Sequence, residues 1–533
     1  MIEQACIARG ARGIFTAVVL GAIAVSVLAV APTTVRGTGR ASADGTLAIS
    51  AASLVGGAGN ADAVRGARIQ SDGTIVLAVN LSAAQWAGAA PVLLNGAGDA
   101  SEGAIVRLSA DGRAVKSVTR LAARVNDLSI DGQDNIYVAA WSDGLLKLNP
   151  DASALTWRQA QTRTLRVDAA ADGTSIALVT GANDPDVGNP GAGQIVVLAP
   201  DGSQRAAIPG RHNTLDVCIH DVSNRAVSIG WRQASVAGVP VQIAYLRAIT
   251  FDGAEQYILY DWSTSSGDPR FINAPTNNMA DTRGYRCSVG ADGKLYAAFE
   301  AAGGNHIFRY SPIDINARVT LAGGDQWQTF SNTRSEHKTV FARYDIDTGA
   351  FLAGQEYLAR LGPDKNNAGN ALRVDKGAIT ADASGRVYIG GASAWGLPLP
   401  PHPRYTPAAE RQTFNHLESD ATAYLGGAWL TVFSPDFKTR EFTTRLTTGG
   451  TTHVIDARTV GANVVIAAGG VAAANSITST YLVDALQANP GGGQDGWMAV
   501  MSSGPPPPTS MPAPTVTLDP TLTRRVFLPL SRR

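Results

Sequence analysis

The sequence predicts an all-β fold, and three observations carry that prediction. The first is composition. Of 533 residues, 57 are Gly and 27 Pro, 17% are charged and 45% hydrophobic. Disorder needs fewer apolar residues and more net charge. Lys, Glu and Met are scarce while Gly, Thr, Val and Ala abound, which favours strands joined by tight turns. The second is a strand–turn–strand pattern that recurs seven times: ARIQSDGTIVLAVN (67–80), LSIDGQDNIYVAAW (128–141), VDAAADGTSIALVTG (167–181), CIHDVSNRAVSIGW (218–231), CSVGADGKLYAAFE (287–300), AITADASGRVYIGG (378–391) and IDARTVGANVVIAAGG (455–470). Asp-Gly and related turns permit the positive φ of a hairpin, and Val, Ile and Tyr after the turn suit a pleated, half-buried surface. The third is a second hairpin after most copies, such as AIVRLSADGRAV (104–115) or WLTVFSPDFKTREF (429–442). Several units of four antiparallel strands are the pattern of a β-propeller. Seven blades fit the count, with six or eight as alternatives.

In chain order, the first element is an export signal. Arg9 and Arg12 precede an uncharged run from Ile14 to Ala31, and Ala41 and Ala43 offer a cleavage site before Asp44. The alternative is an uncleaved N-terminal membrane anchor, since 14–31 approaches the length of a spanning helix. Residues 44–503 form the propeller. Residues 504–533 form a linker opening on Pro505 to Pro508, followed by a short tail that ends in Arg532-Arg533. Such a linker prefers extended polyproline conformations.

The last unit lacks a fourth strand before the proline linker, and TLAIS (46–50) has no partner ahead of the first copy. The expectation is that this N-terminal strand completes the last blade and fastens the ring.

Net charge is zero over the whole chain, so no basic field exists for nucleic acid. The leader carries four Arg and one Glu, and the tail four Arg and one Asp. The middle therefore keeps 36 basic against 42 acidic side chains.

SLVGGAGNADAVRGARIQSDGTIVLAVN (53–80), ITADASGRVYIGGASAWGLPLPP (379–401), DALQANPGGGQDGWMAVM (484–501) and GAGDASEGAIVRLSADG (96–112) resemble the bacterial β-propeller repeat called SBBP. That repeat runs from a "TYLGG" strand through an acidic loop to a "DSSGNVYVTG" hairpin. The resemblance is close at both ends of the chain and weak from about 205 to 370. It implies an extracellular or surface-attached bacterial propeller and brings no catalytic residues.

In a propeller the links between hairpins and between blades emerge on one face. Insertions at 81–103, 182–192, 232–240, 301–338, 361–376 and 392–427 would crowd it. Loops on a rigid scaffold are the usual place for binding. Trp86, Trp141, Trp231, Trp262, Trp327 and Trp395 fall there, with Asp261, His402, Arg404 and His416 among the polar groups nearby. Aromatic faces stack on sugars or clamp peptide side chains, and they also cap blade cores. Trp86, Trp141, Trp231, Trp262, Trp327, Trp395, His402 and Arg404 are the candidate ligand-binding residues.

No zinc spacing occurs among the seven His. Calcium is possible at Asp131, Gln133 and Asp134, or at Asp345 and Asp347, although Asp in such turns more often binds local backbone donors. No nucleophile elbow, sialidase Asp box or phosphate loop is present, so no catalytic residue and no cofactor is assigned. Cys218 and Cys287 lie five residues before the turn positions Ser223 and Asp292, which suggests equivalent places on neighbouring inner strands. They are the candidate disulfide, against buried free thiols. The expected function is that of a monomeric, non-enzymatic binding scaffold engaging a glycan or protein through the loop-rich face. Membrane contact is expected only through an uncleaved N-terminal segment. The alternatives are an extracellular glycosidase or polysaccharide lyase using loop carboxylates, and a structural cell-wall protein.

Overall fold

The computed structural model describes residues 47–503, apart from 60–61, 84, 162, 181–190, 237–238, 262–279, 304–305, 323–337, 362–371, 394–415, 420–426 and 473–480. Among the described residues every regular element is a strand, except for one 3-10 turn at Ile307–Arg309. No helix there is long and apolar enough to cross a membrane.

The strands form consecutive four-stranded antiparallel runs, and Val92–Leu93 and His416–Ser419 add parallel edge strands to the first and the fifth. The first comprises Ala63–Ile69, Ile75–Asn80, Gly103–Leu108 and Val115–Leu121. The second is Val125–Ile130, Ile136–Ala140, Gly144–Leu148 and Leu155–Gln159. The third is Thr164–Ala169, Ser175–Val179, Gln194–Leu198 and Gln204–Pro209. The fourth is Asn213–His220, Arg225–Val236, Val239–Ile249 and Glu255–Tyr260. The fifth is Thr282–Val289, Leu295–Ala301, Lys338–Tyr344 and Phe351–Leu361. The sixth is Leu372–Ala381, Val387–Ser393, Gly427–Phe433 and Arg440–Arg445. In the seventh, Thr451–Val460, Asn463–Val471 and Gly496–Ser503 are completed by the N-terminal strand Leu47–Val55. A single bridge, Ala392 to Thr451, joins the last two runs into one sheet.

The N-terminal strand is longer than its sequence suggests. It pairs from Leu47 opposite Ser503 to Val55 opposite Gly496. Its outer edge is also occupied, since Ala52 and Val483 exchange backbone hydrogen bonds of 2.7 and 3.1 Å. It reaches the first run as well: Arg113 Nε donates to the Ser50 carbonyl at 3.1 Å, and Ser50 Oγ donates to the Asp111 carbonyl at 3.1 Å.

The first strand of each run is the common scaffold. Each packs against the first strand of the next run, and Thr451–Val460 of the seventh packs against Ala63–Ile69 of the first. Near its start nearly every one carries a bulge that leaves one residue unpaired: Arg65, Asn126, Leu165, Leu215, Tyr285 and His453 in six of them. A bulge adds local twist and re-aims the residues that follow. In the first run the residue after the bulge is Gly66, where a Cβ would lie 2.4 Å from Leu128 Cβ and 2.8 Å from Leu128 N. The first and second runs therefore meet backbone against side chain.

Apolar clusters fill the interfaces between runs. One joins Cys218, Val227 and Ile229 of the fourth run to Cys287, Ala297 and Phe299 of the fifth. Another joins Ala51, Val55 and Val500 of the seventh to Val64, Ile69 and Leu77 of the first. Burial between sheets, at roughly 25 cal/mol per Å² of apolar surface, is thus distributed around the whole assembly.

Candidate functional site

Antiparallel meanders sort their connections by end. Turns between first and second strands, and between third and fourth, share one end and span at most six residues. Links between second and third strands, and between runs, share the other end. These include 81–102, 302–337, 394–426 and 472–495.

Of the predicted ligand-binding residues, Trp262, Trp327, Trp395, His402 and Arg404 lie outside the described residues. Trp86 and Trp231 are buried, at 2% and 8% exposure. The Trp86 indole N–H donates 2.8 Å to Gln487 Oε1, whose oxygen also accepts the Gly56 N–H at 2.9 Å. Trp86 therefore anchors the first run's long link to the chain before the last strand. Trp231 lies under the Arg283 guanidinium, 5.7 Å from its ring centroid, and Arg283 in turn pairs with Glu300 at 3.0 Å.

Trp141 is different. It is half-buried and lines an open groove with Ser101, Glu102, Arg124 and Ser142. Its backbone N–H donates to the Arg124 carbonyl at 2.9 Å, which fixes the indole at the exit of its strand. Glu102 and Arg124 approach to 3.8 Å across the groove. One wall is held from behind by Arg120, whose fully buried guanidinium donates to the carbonyls of Leu81 (2.6 Å) and Ser101 (2.9 Å). The groove thus combines an aromatic face, an acid, a base and two hydroxyls on a rigid backing.

The sequence reading passed over a second site. Arg68, Asp127, Arg166, Asp168, Asp216, Arg286 and Asp456 converge on a polar cavity between the first strands. The carboxylates work as clasps. Asp127 accepts the Val167 N–H (3.2 Å), Asp168 that of Ile219 (3.1 Å), Asp216 that of Cys287 (3.1 Å) and Asp456 that of Ile69 (2.8 Å). Each bond joins one run to the next, and the last joins the seventh to the first. Counted from the unpaired bulge residue, Asp127 and Asp216 stand first, and Asp168 and Asp456 third. The N–H groups they hold stand second and fourth. The signal was present as Asp or Arg recurring among the apolar residues of each first strand. It was hidden by the more conspicuous Asp of the turns.

Burial raises the Asp168 carboxyl to about 6, only partly offset by Arg68 and by the donors Ser129, Ile219 and Ala169. Burial likewise raises Asp216 against Arg286 and Arg166. It lowers Arg286 to about 10, with Arg166 adding to the effect. At Arg68 burial acts downward but Asp456, Asp168, Asp127 and Asp216 outweigh it, so its guanidinium is raised. The sign for stability follows. Folded Asp168 holds its proton more tightly than the unfolded chain, so its contribution is best below 3.8 and falls as pH rises to about 6. Asp168→Asn keeps an acceptor for Ile219 and removes the buried charge. It should stabilise the protein at pH 7 by up to about 3 kcal/mol and flatten that window in urea melts at pH 4 and pH 7. An equal loss of stability at both pH values would contradict this account.

The turn carboxylates hold local donors. Asp131 Oδ1 accepts the N–H groups of Gln133 and Asn135, both at 2.9 Å, and Oδ2 lies 3.3 Å from Lys147 Nζ. Asp345 Oδ1 accepts those of Asp347 and Thr348 at 3.2 and 3.1 Å. Among the described residues no group of three or more His, Cys, Asp or Glu is placed to hold a metal ion.

Cys218 and Cys287 are both buried free thiols. They do not hold equivalent places: Cys218 stands third after its bulge and Cys287 second. The equal spacing to the turns misled, because the turn in the fourth run is one residue shorter.

No family model and no curated protein matches the sequence. Solved structures resemble it in outline. "Structure of U3-55K" aligns over 84% of this chain and 98% of that one, at 8% identity and a TM-score of 0.44. The WD40 β-propeller domain of Doa1 covers 85% and 96%, at 9% and 0.39. The quinohemoprotein alcohol dehydrogenase from Comamonas testosteroni covers 86% and 76%, at 9% and 0.37. Such scores carry no inference about activity. The strand order itself, meander after meander with first strands packed in succession, is that of a β-propeller scaffold.

Proposed function

We propose that residues 44–503 form a seven-bladed propeller of SBBP-like repeats, exported by the N-terminal segment and closed by Leu47–Val55, and that it acts as a non-enzymatic binding scaffold. Its ligand is a glycan or a protein held on the face that carries the long links. The observation that carries this reading is the Trp141 groove, an aromatic platform beside Glu102 and Arg124 on that face. Aromatic stacking combined with a few fixed polar groups is how such clefts hold sugars and peptides. The enzymatic alternative would call on carboxylates of the long links; the one that lines the groove, Glu102, stands 3.8 Å from Arg124.

The test is a glycan array and a polysaccharide panel, with pull-down from secreted protein as the second arm. Trp141→Ala, checked for an unchanged thermal midpoint, should weaken the strongest interaction at least tenfold. If the variant binds every hit as the parent does, the groove is not the contact surface.

A further inference from the structure

We propose that Cys218 and Cys287 are oxidised to a disulfide that joins the first strands of the fourth and fifth runs. The two thiols lie in one apolar cluster that spans the two runs, on first strands that pack side by side. Their register explains why they meet. Side chains third after a bulge face the following run, as Asp168 and Asp456 do when they take the N–H of Ile219 and Ile69. Asp216, first after its bulge, faces the same way and takes the Cys287 N–H. Cys218 therefore faces forward, and Cys287, one step out of phase, faces back towards it. Alternation along a strand requires this. Thiols at the same place in the two runs would point the same way around the assembly and miss each other.

The oxidant belongs to the class of small or protein disulfides. One cysteine thiolate attacks the oxidant's disulfide, forming a mixed disulfide and releasing a thiolate. The second cysteine attacks the mixed disulfide at the first cysteine's sulfur, closing the Cys218–Cys287 bond and releasing a second thiol. Two electrons and two protons pass to the oxidant. Burial raises both thiols, so the exchange belongs to folding, before the two strands close over the pair.

The experiment uses the full chain, denatured, reduced and refolded with oxidised and reduced glutathione, then alkylated in denaturant without reductant and digested. A peptide containing Cys218 linked to one containing Cys287 is expected, with neither cysteine alkylated. Reductant should then lower the thermal midpoint of the parent, and leave those of Cys218→Ala and of the Cys218→Ser, Cys287→Ser double variant unmoved. Separate alkylation of Cys218 and Cys287, a link from either to Cys6, or a reductant effect that persists in Cys218→Ala would each overturn the proposal. The outcome is independent of what the loop-bearing face binds.

Discussion

Removal of residues up to Val55 should abolish the single cooperative unfolding transition of the remaining chain. Leu47–Val55 lies along the whole of Gly496–Ser503, and its residues 49–55 are buried. Its loss takes Leu54, Val55, Ala51 and Ala52 out of the core and uncovers Met498, Val500 and Met501 on the partner side. It also strips one edge of the last run of its ladder partners. At about 1.5–3 kcal/mol for each large side chain, the loss is roughly 5–10 kcal/mol, on the order of the whole stability of a domain. The damage spreads because the same strand binds the turn of the first run through Ser50 and Arg113. A chain starting at residue 56 should be compared with one starting at residue 44 by calorimetry and near-ultraviolet dichroism. Fusing residues 44–55 by a flexible linker after residue 503 should recover the transition, since the strand is then available in cis. A truncated chain that melts within a few degrees of the parent would show that the pairing is dispensable.

Asp261→Ala should cost about 3–5 kcal/mol, the range for uncovering a buried charge by removing its partner. Asp261 is fully buried where the fourth run leaves its last strand. Its carboxylate takes Arg211 on one oxygen and Arg232 on the other. Arg232 is held further by the Asp261 carbonyl at 3.2 Å, and Tyr245 joins the group through the Arg211 carbonyl and through Thr214 at 2.8 Å. The replacement leaves the Arg232 guanidinium, 9% exposed, beside the part-exposed Arg211 with no carboxylate between them. Asp261→Asn retains an acceptor and should cost less. Joint replacement of Arg211, Arg232 and Asp261 by apolar residues of similar volume should recover most of the loss, because the desolvation of three charges disappears with them. Urea midpoints decide. A cost below 1 kcal/mol for Asp261→Ala would show that the triad is loosely solvated.

Both predictions bear on what a sequence makes legible. The hairpins were readable because turn chemistry is local: an Asp or Gly at the tip, with β-branched and aromatic residues after it, states its own geometry. The missing fourth strand of the last unit was readable by counting, and TLAIS was its evident partner. The additional pairing of Ala51 to Val55 was not, because from Ser53 on those residues also fit the start of the first repeat. The clasps were harder still. Asp127, Asp168, Asp216 and Asp456 sit among apolar neighbours, and their partners are backbone N–H groups 40 to 71 residues away, or 387 for Asp456 with Ile69. Nothing local marks an acceptor whose donor arrives from the next run. The tryptophans show the same limit. Position on the loop-bearing end was legible, but exposure depends on what packs above the ring. Gln487 and Arg283, both remote in sequence, occupy Trp86 and Trp231, while Trp141 keeps a groove.

We propose one ring, held shut by its N-terminal strand and presenting its long links on one face. Hydrogen exchange on residues 44–503, followed by mass spectrometry at the level of short peptides, tests it most directly. The account predicts that the peptides covering Leu47–Val55 and Gly496–Ser503 exchange as slowly as those covering Val125–Ile130 and Asn213–His220, through one shared global opening. Exchange of Leu47–Val55 orders of magnitude faster than the first strands would show an open ring with a loosely attached end.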